Sequence, residues 1–446
     1  MGKSSAVLLL LLLLAGCSCT STTSCCDADS INMKVQERVG GELNLSCDRN
    51  IVPQEFTVAQ PLTEDHAVLL ALWNNPTFQD ALVDLKLTRA DLIAAGQLPN
   101  PEVVYFFSVP EKPFKYAVDF PIEALWLRPI RTQAASVENL RACERLTQLA
   151  LDLIRDTRQA YADLVLARER VRVAEEAVKL RTHVAELAEA RFKAGDTSRQ
   201  DLATAKIEAL QAKQDATRIG VEVPLAEEKL KNLMGLTQIT APIPVLARTV
   251  TFAGPMDVEA LAKEASQSRP DIVAAELAVQ AADERVRLSH TGWFRFLGIL
   301  DATSGKNTGH EFGPAIRATL PIFHWNQGAI ARAEAEREQL ECRRNALRNL
   351  IITEVRQSAA RYQQTSTELN TLRKTVQPEV EAAIKRSEKA YQDGNASYLI
   401  VLETTRQLID TYNRDAQLVA ERQRAWAELE RSVGRHLETH TASTSR

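Results

Sequence analysis

The feature that most constrains this fold is an internal duplication, because a unit that occurs twice must be workable beside its own copy. Ala190-Arg191-Phe192-Lys193-Ala194-Gly195-Asp196-Thr197-Ser198 matches Lys389-Ala390-Tyr391-Gln392-Asp393-Gly394-Asn395-Ala396-Ser397, each with an aromatic residue three places before Gly and a short polar turn after it. Gly195 and Gly394 lie 199 positions apart, and Gly235 and Gly434, which close two similar Glu-containing stretches, are again 199 apart. Upstream, Phe120-Pro121-Ile122 and Leu320-Pro321-Ile322 are separated by 200 positions, Asn75-Pro76 and Arg269-Pro270 by 194. Four landmarks in one order make the chain two copies of one unit.

Each copy reads as long helix, sharp reversal, shorter return helix. Between Arg131 and Ala194 there is neither Pro nor Gly. Leu146, Leu153, Ala160, Ala167 and Ala174 recur every seventh position, as do Leu164, Val171, Val178, Ala185 and Phe192, which is a coiled-coil-like seam with room for close helix approach. The second long helix is expected over 327–393, kinked near Pro378. Return helices are expected over 198–234 and 397–433, and opening helices over 63–97 and 256–289.

Between opening and long helix, each copy holds an alternating segment. Phe114, Tyr116, Val118 and Phe120 alternate with Lys115, Ala117 and Asp119; Pro314, Ile316, Ala318 and Leu320 alternate with Gly313, Ala315, Arg317 and Thr319. An apolar face backed by a polar one fits a strand with lipid on one side and water on the other; soluble hairpins capping helices are the lesser alternative. Partner strands are expected at 103–109 and 294–300, closed by turns at 110–113 and 304–307. Two hairpins cannot close a barrel alone, so spanning would require further copies of the chain.

The N-terminus reads as an export signal. Lys3 precedes an apolar run from Ala6 to Leu14 that ends in Leu14-Ala15-Gly16-Cys17, too short to cross a bilayer as a helix. The Leu-Ala-Gly-Cys ending resembles the bacterial lipobox, which implies acylation of Cys17; Ser18 stands where that resemblance would place an inner-membrane retention Asp. Cys19, Cys25, Cys26 and Cys47 lie in or near a Ser/Thr-rich tether without His, while Cys143 and Cys342 fall in helical patterns and read as small apolar packers.

Chemistry beyond this is sparse. Net charge is −4, with 54 basic and 58 acidic side chains interleaved, so no basic block exists to neutralise nucleic-acid phosphates. The seven histidines show no paired metal spacing, His310 and His324 included, and no nucleophile elbow or phosphate loop occurs. No catalytic residue, metal site or cofactor other than the lipid on Cys17 is expected.

Over about residues 60 to 437 the chain resembles the TolC family of outer-membrane factors, through the duplicated plan, the turns at Gly195 and Gly394, and the terminal Ala427-Glu428-Leu429-Glu430-Arg431-Ser432-Val433-Gly434. Ala95-Gly96-Gln97-Leu98-Pro99-Asn100-Pro101-Glu102 resembles the strand entry of the CzcC/CusC-type, heavy-metal branch. The resemblance implies a mainly α fold with a small β part: duplicated helix hairpins forming a trimeric α-barrel, and four strands per chain in a twelve-stranded outer-membrane β-barrel. It implies a lipid-anchored homotrimer in the outer membrane reaching into the periplasm, and partners in a periplasmic adaptor and an inner-membrane pump of RND or ABC type.

On the same ground, Gly195, Asp196, Thr197, Ser198, Gly394, Asn395, Ala396 and Ser397 would form the tips where the adaptor docks, with Ser198 and Ser397 able to cap the helices that follow. Family members carry acidic residues six and nine places after each Gly, narrowing the pore; here these are Asp201 and Glu403, with Ile400 in one of the acidic positions. Ala396 stands where the family can place an Arg that clasps the other copy. The division expected is signal peptide 1–16, lipidated tether 17–62, first repeat 63–235 with hairpin 101–122, equatorial linker 236–256, second repeat 257–437 with hairpin 294–323, and a disordered tail 438–446. A single-hairpin adaptor lipoprotein or a structural coiled-coil envelope protein are the rival readings, and the doubled hairpins weigh against both.

Overall fold

The computed structural model describes residues 28–39, 61–107, 115–246, 250–251, 256–305, 309–320, 322–437 and 440–441. The signal segment, Cys17 and its neighbouring cysteines, the stretch 43–58, and the turns at 110–113 and 306–307 lie outside them. The helices are α1 (Ala28–Val39), α2 (Glu64–Asn74), α3 (Pro76–Gly96), α4 (Glu123–Ala194), α5 (Arg199–Gly220), α6 (Glu222–Leu233), α7 (Val258–Ser268), α8 (Pro270–Thr291), α9 (Gln327–Thr371), α10 (Gln377–Gln392) and α11 (Tyr398–Val433). The strands are β1 (Glu102–Phe106), β2 (Lys115–Pro121), β3 (Val250–Thr251), β4 (Phe296–Gly305), β5 (Gly309–Ala318) and β6 (His440–Thr441). Among the described residues, no helix is long and apolar enough to cross a membrane.

Two compact units cut across the two sequence copies. One gathers 87–140 and 280–335, the other 28–86, 141–279 and 336–446. The first unit holds a four-stranded antiparallel sheet in the order β1-β2-β4-β5, so the two hairpins of the duplication lie edge to edge. Its register sorts side chains by polarity. Tyr116 faces Ala302, Val118 faces Leu300 and Gly298 faces Ile316 on one side; Lys115, Ala117, Asp119, Asp301 and Arg317 share the other. Lys115 pairs with Asp301 at 2.9 Å and Arg317 with Asp119 at 3.5 Å. The alternation expected from the sequence is therefore present, and the described charges lie on one face.

The second unit is helical, and its packing follows the small-residue seam. Leu146, Leu153, Ala160, Ala167 and Ala174 are all buried. The other seven-residue row is mixed: Leu164 and Ala185 are buried, Val171 and Val178 half-buried, and Phe192 exposed. A straight α-helix drifts about 20° per heptad against a seven-residue repeat, which moves the contact to Val173, Ala177, Val184 and Ala188. Cys143 is buried but disulfide-bonded, and Cys342 is exposed, so neither is the small apolar packer expected.

Prolines and glycines break helices that the sequence reading left whole. Each opening helix is cut before its proline, where Asn75 and Arg269 are extended with ψ of 119° and 138°. The first return helix is interrupted at Val221, after Gly220 and three positions before Pro224, while α11 runs unbroken. Ahead of Pro378 the chain forms a π-turn over Leu372–Val376, with the Gln377 amide donating to the Leu372 carbonyl. A proline removes a donor, and the wider turn accommodates the break, as the expected kink requires.

The elbows between α2 and α3 and between α7 and α8 are the duplication's most informative equivalence. Asn75 donates its amide to the Leu233 carbonyl at 2.9 Å, and Arg269 donates to the Ser432 carbonyl at 3.2 Å; those acceptors are 199 positions apart. Each elbow thus ties to the end of its own copy's return helix, next to Gly235 or Gly434, both left-handed at φ 67° and 87°. Around the first elbow the linker is secured by Tyr161, whose hydroxyl donates to the Leu62 carbonyl at 2.8 Å and accepts from the Leu246 amide at 3.1 Å. The C-terminus joins this band through β6, antiparallel to β3, so residues 440–441 of the expected disordered tail are instead a paired strand.

A Cβ on Gly235 would meet the Asn74 carbonyl oxygen at 2.2 Å, whereas one on Gly195 would meet nothing within 4 Å. Both positions have positive φ, so alanine carries a conformational cost of about 1 kcal/mol at either. Only at Gly235 must the backbone also move. Gly235→Ala is expected to lower the melting midpoint of the purified protein clearly more than Gly195→Ala; equal shifts would contradict this account.

Candidate functional site

The two helical reversals are built alike, and the sequence dictates how. At the first, Gly195 has φ 85°, its amide donates to the Phe192 carbonyl at 3.0 Å, and the Asp196 amide reaches back to Arg191 at 2.9 Å. At the second, Gly394 has φ 80°, its amide donates to Tyr391 at 3.2 Å, and Asn395 reaches back to Ala390 at 2.8 Å. This crossed pair of bonds satisfies helix-end carbonyls and requires a left-handed residue, which is why Gly sits at both points.

The start of each following helix differs. The Ser198 hydroxyl accepts from the Asp201 amide at 3.0 Å, and Thr197 donates to the Asp201 carboxylate at 3.2 Å, a compact cap for α5. Ser397 makes no side-chain cap, contrary to expectation; α11 starts with a backbone bond from Ile400 to the Ser397 carbonyl. Tyr398, the first residue of α11, instead turns its ring into an apolar cluster with Val184, Ala188, Ala205, Tyr391 and Val401, and half-buried Ala396 packs against the same cluster. Burial, aided by the nearby Glu208 carboxylate, pushes the Tyr398 hydroxyl up to about 12, so it stays neutral.

One residue joins the two reversals. Arg191, at the end of α4, holds its guanidinium 4.5 Å from the centre of the Tyr391 ring and donates to the Tyr391 carbonyl at 3.0 Å. It also reaches the Asp196 carbonyl at 3.4 Å. Below it, Glu208 on α5 accepts from Arg406 of α11 at 2.5 Å and pairs with Arg181 of α4 at 3.3 Å. These links between copies were not found by reading motifs. The signal available was an asymmetry: Arg191 occupies the place that Ala390 fills in the other copy.

The remaining candidates fall as follows. Asp201 is engaged in its own helix cap, whereas Glu403 is exposed and, among the described residues, accepts from Gln407 alone, one turn on, at 3.1 Å. Cys17 lies outside the described residues. No cluster of His, Cys, Asp and Glu among the described residues has the geometry of a metal site.

The family model for outer membrane efflux proteins matches residues 125–236 and 261–435, both copies of the duplicated unit. The chain belongs to the outer membrane efflux protein family. Among relatives of this efflux protein is the cobalt-zinc-cadmium resistance protein CzcC of Cupriavidus metallidurans, 25% identical over 406 residues, or 86% of this chain and 92% of that one. Its fold is shared with CusC, at a TM-score of 0.71, 19% identity and coverage of 87% and 98% of the two chains. It is shared also with the open-state MtrE channel of Neisseria gonorrhoeae, at a TM-score of 0.67, 18% identity and coverage of 83% and 88%.

In the efflux protein, removing the Arg191 guanidinium takes away a cation–π contact and a charge-assisted hydrogen bond, each worth about 1 kcal/mol at a partly exposed site. Arg191→Ala is expected to raise amide hydrogen exchange across residues 389–398 several-fold, without changing exchange around the Gly235 elbow. Unchanged protection at the second reversal would show that Arg191 does not hold it.

Proposed function

We propose that this efflux protein is the outer-membrane channel of a three-part export system: a passive conduit that receives cargo from an inner-membrane pump, of RND or ABC type, through a periplasmic adaptor. The observation that carries this reading is the four-stranded sheet with its described charges on one face and, among the described residues, no partner on the outer edge of β1 or β5. In hydrocarbon, unpaired strand edges are prohibitively costly, so such a sheet is workable only when joined to others in a closed ring. Three copies with four strands each make a twelve-stranded ring, hence a homotrimer.

The reversals at Gly195–Ser198 and Gly394–Ser397 are the adaptor's docking points in this reading. Cys17 carries the lipid that anchors the N-terminus in the outer membrane. Glu403 and Asp201 are the pore-narrowing acids, and of the two Glu403 is the freer to act, since Asp201 already caps α5. Rings of carboxylates favour cations. The relationship to a cobalt-zinc-cadmium resistance protein makes divalent metal cations the cargo class we favour.

Three measurements test this. The purified protein in a planar bilayer should conduct, and Glu403→Gln should shift its reversal potential toward anions in a salt gradient; absence of any conductance would sink the channel reading. Cys17→Ser should abolish incorporation of labelled fatty acid. Gly195→Val and Gly394→Val should leave outer-membrane insertion intact yet impair metal export from cells, and normal export in both would count against docking at the reversals.

A further inference from the structure

The seam between α9 and α11 buries a cation that neither the conduit nor the reversals explain. The two helices run antiparallel: the Ser358 and Ser432 hydroxyls bond at 2.9 Å, the rings of Tyr362 and Trp426 lie 5.0 Å apart, and Arg373, in the π-turn after α9, pairs with Asp415 at 2.6 Å. One helical turn on from Tyr362 is Ser366, and one turn back from Trp426 is Arg422. Each therefore shares a face with its ring, and the two stand level with each other across the seam. The next positions on the same faces, Leu369 and Leu418, are buried and lie on the side of the π-turn.

Arg422 is only 4% exposed, yet its Nε and Nη2 have no hydrogen-bond acceptor among the described residues. The Ser366 hydroxyl is buried and likewise without a partner there. The carboxylate that acts on Arg422 is Asp415, but both of its oxygens already accept from Arg373, at 2.6 and 2.9 Å, and the Arg373 charge opposes that of Arg422. Burial pulls the Arg422 guanidinium below its usual pKa, an effect that Tyr362 and Asp415 only partly offset. A guanidinium nonetheless keeps its proton in a folded protein, so the charge stays in the seam.

Three donors thus border one gap, whose other walls are two aromatic rings and two leucines. Buried donors without acceptors are costly, and a buried charge without a counter-charge more so; a water molecule would answer the hydrogen bonds and leave the charge unbalanced. An anion answers both. A carboxylate from another chain would have to bring its backbone into a seam that leaves Arg422 almost no exposure, whereas a single-atom anion needs no such entry. The apolar walls favour an anion that loses little on leaving water. We propose that Arg422 and Ser366 form a halide site in the α9–α11 seam, occupied by chloride. Bound there, the anion supplies the missing counter-charge just ahead of the π-turn, so the firmness with which α11 is held to α9 depends on chloride.

Anion replacement tests it. The purified full-length protein is melted as sodium chloride replaces sodium gluconate, whose anion is too large for the gap, at constant ionic strength. The melting midpoint should rise by a few degrees, following the logarithm of chloride concentration, as a ligand that binds only the folded chain requires. Bromide should act at lower concentration than chloride, and fluoride, which holds its water tightly, should do no more than gluconate. Arg422→Gln should abolish the chloride dependence and melt no lower than the wild type in gluconate, because it removes an unbalanced buried charge. A variant that melts lower in both salts and keeps the dependence would show that the arginine is merely structural, which overturns the site. Should Arg422→Gln fail to fold, Ser366→Ala must raise the chloride concentration needed several-fold. Crystals grown in bromide should show an anomalous peak within hydrogen-bond distance of Arg422 Nε and Nη2 and of Ser366 Oγ. A midpoint indifferent to the anion overturns the proposal, as does a water molecule in that place. A bromide peak without the effect in solution means an adventitious ion only, and overturns it as well.

Discussion

Unpaired backbone at the two outer strands is the constraint on which the rest depends. Among the described residues β1 and β5 each have one neighbour, so each offers a row of amides and carbonyls outward. In water such edges invite aggregation, and in lipid they cost several kcal/mol per group. The duplication is an economical answer. One hairpin appended to one helical unit, copied once, already sits edge to edge with its copy; repeating the same pairing between chains satisfies the remaining edges without a new kind of contact. The sorting of charge onto one face serves the same end, because a closed ring needs one wall for lipid and one for water.

The two copies differ at their elbows and at their reversals. At the elbows, an uncharged Asn75 and a charged Arg269 tie to equivalent carbonyls, but Arg269 also pairs with Asp271 and Glu354, each at 2.6 Å. The second elbow is bound further by α1, whose Arg38 donates to the Ser268 and Gly434 carbonyls at 3.0 Å. At the reversals the asymmetry runs the other way, with Arg191 in the first copy reaching into the second. Shared backbone geometry with divergent side chains lets one scaffold hold two reversals that are not interchangeable.

Much of this was legible from residue spacing, and the reasons are physical. Left-handed turns admit little besides glycine, so Gly195, Gly235, Gly394 and Gly434 announce themselves at fixed offsets. A two-sided strand must alternate, so Tyr116, Val118 and Phe120 could be assigned a face in advance. What escaped was decided by tertiary competition. Ser397 looks like a cap as good as Ser198, but burying Tyr398 beside it sets the local backbone. The break at Val221 arises from Gly220 and Pro224 acting together, each tolerable alone. Arg191 was invisible to motif reading because its partners, a ring face and a carbonyl, leave no mark in sequence.

The ion pairs between α4 and α11 decide something that apolar packing cannot. A seam of alanines such as Ala160, Ala167 and Ala174 is nearly the same after a slip of one heptad, so burial alone gives little preference among registers. Arg158 with Glu430, Arg424 with Asp163 at 2.6 Å, and Arg431 with Asp152 at 2.7 Å would all be lost by such a slip. Arg158 and Glu430 are close to fully buried, and leaving one member of such a pair unpaired costs about 3–5 kcal/mol; the partly exposed Arg424–Asp163 and Arg431–Asp152 pairs contribute about 1 kcal/mol or less. Their effect is therefore a penalty on wrong alignments. Register in turn determines whether Arg191 arrives opposite Tyr391 some thirty residues along α4, so the buried charges near the elbows help place the reversals.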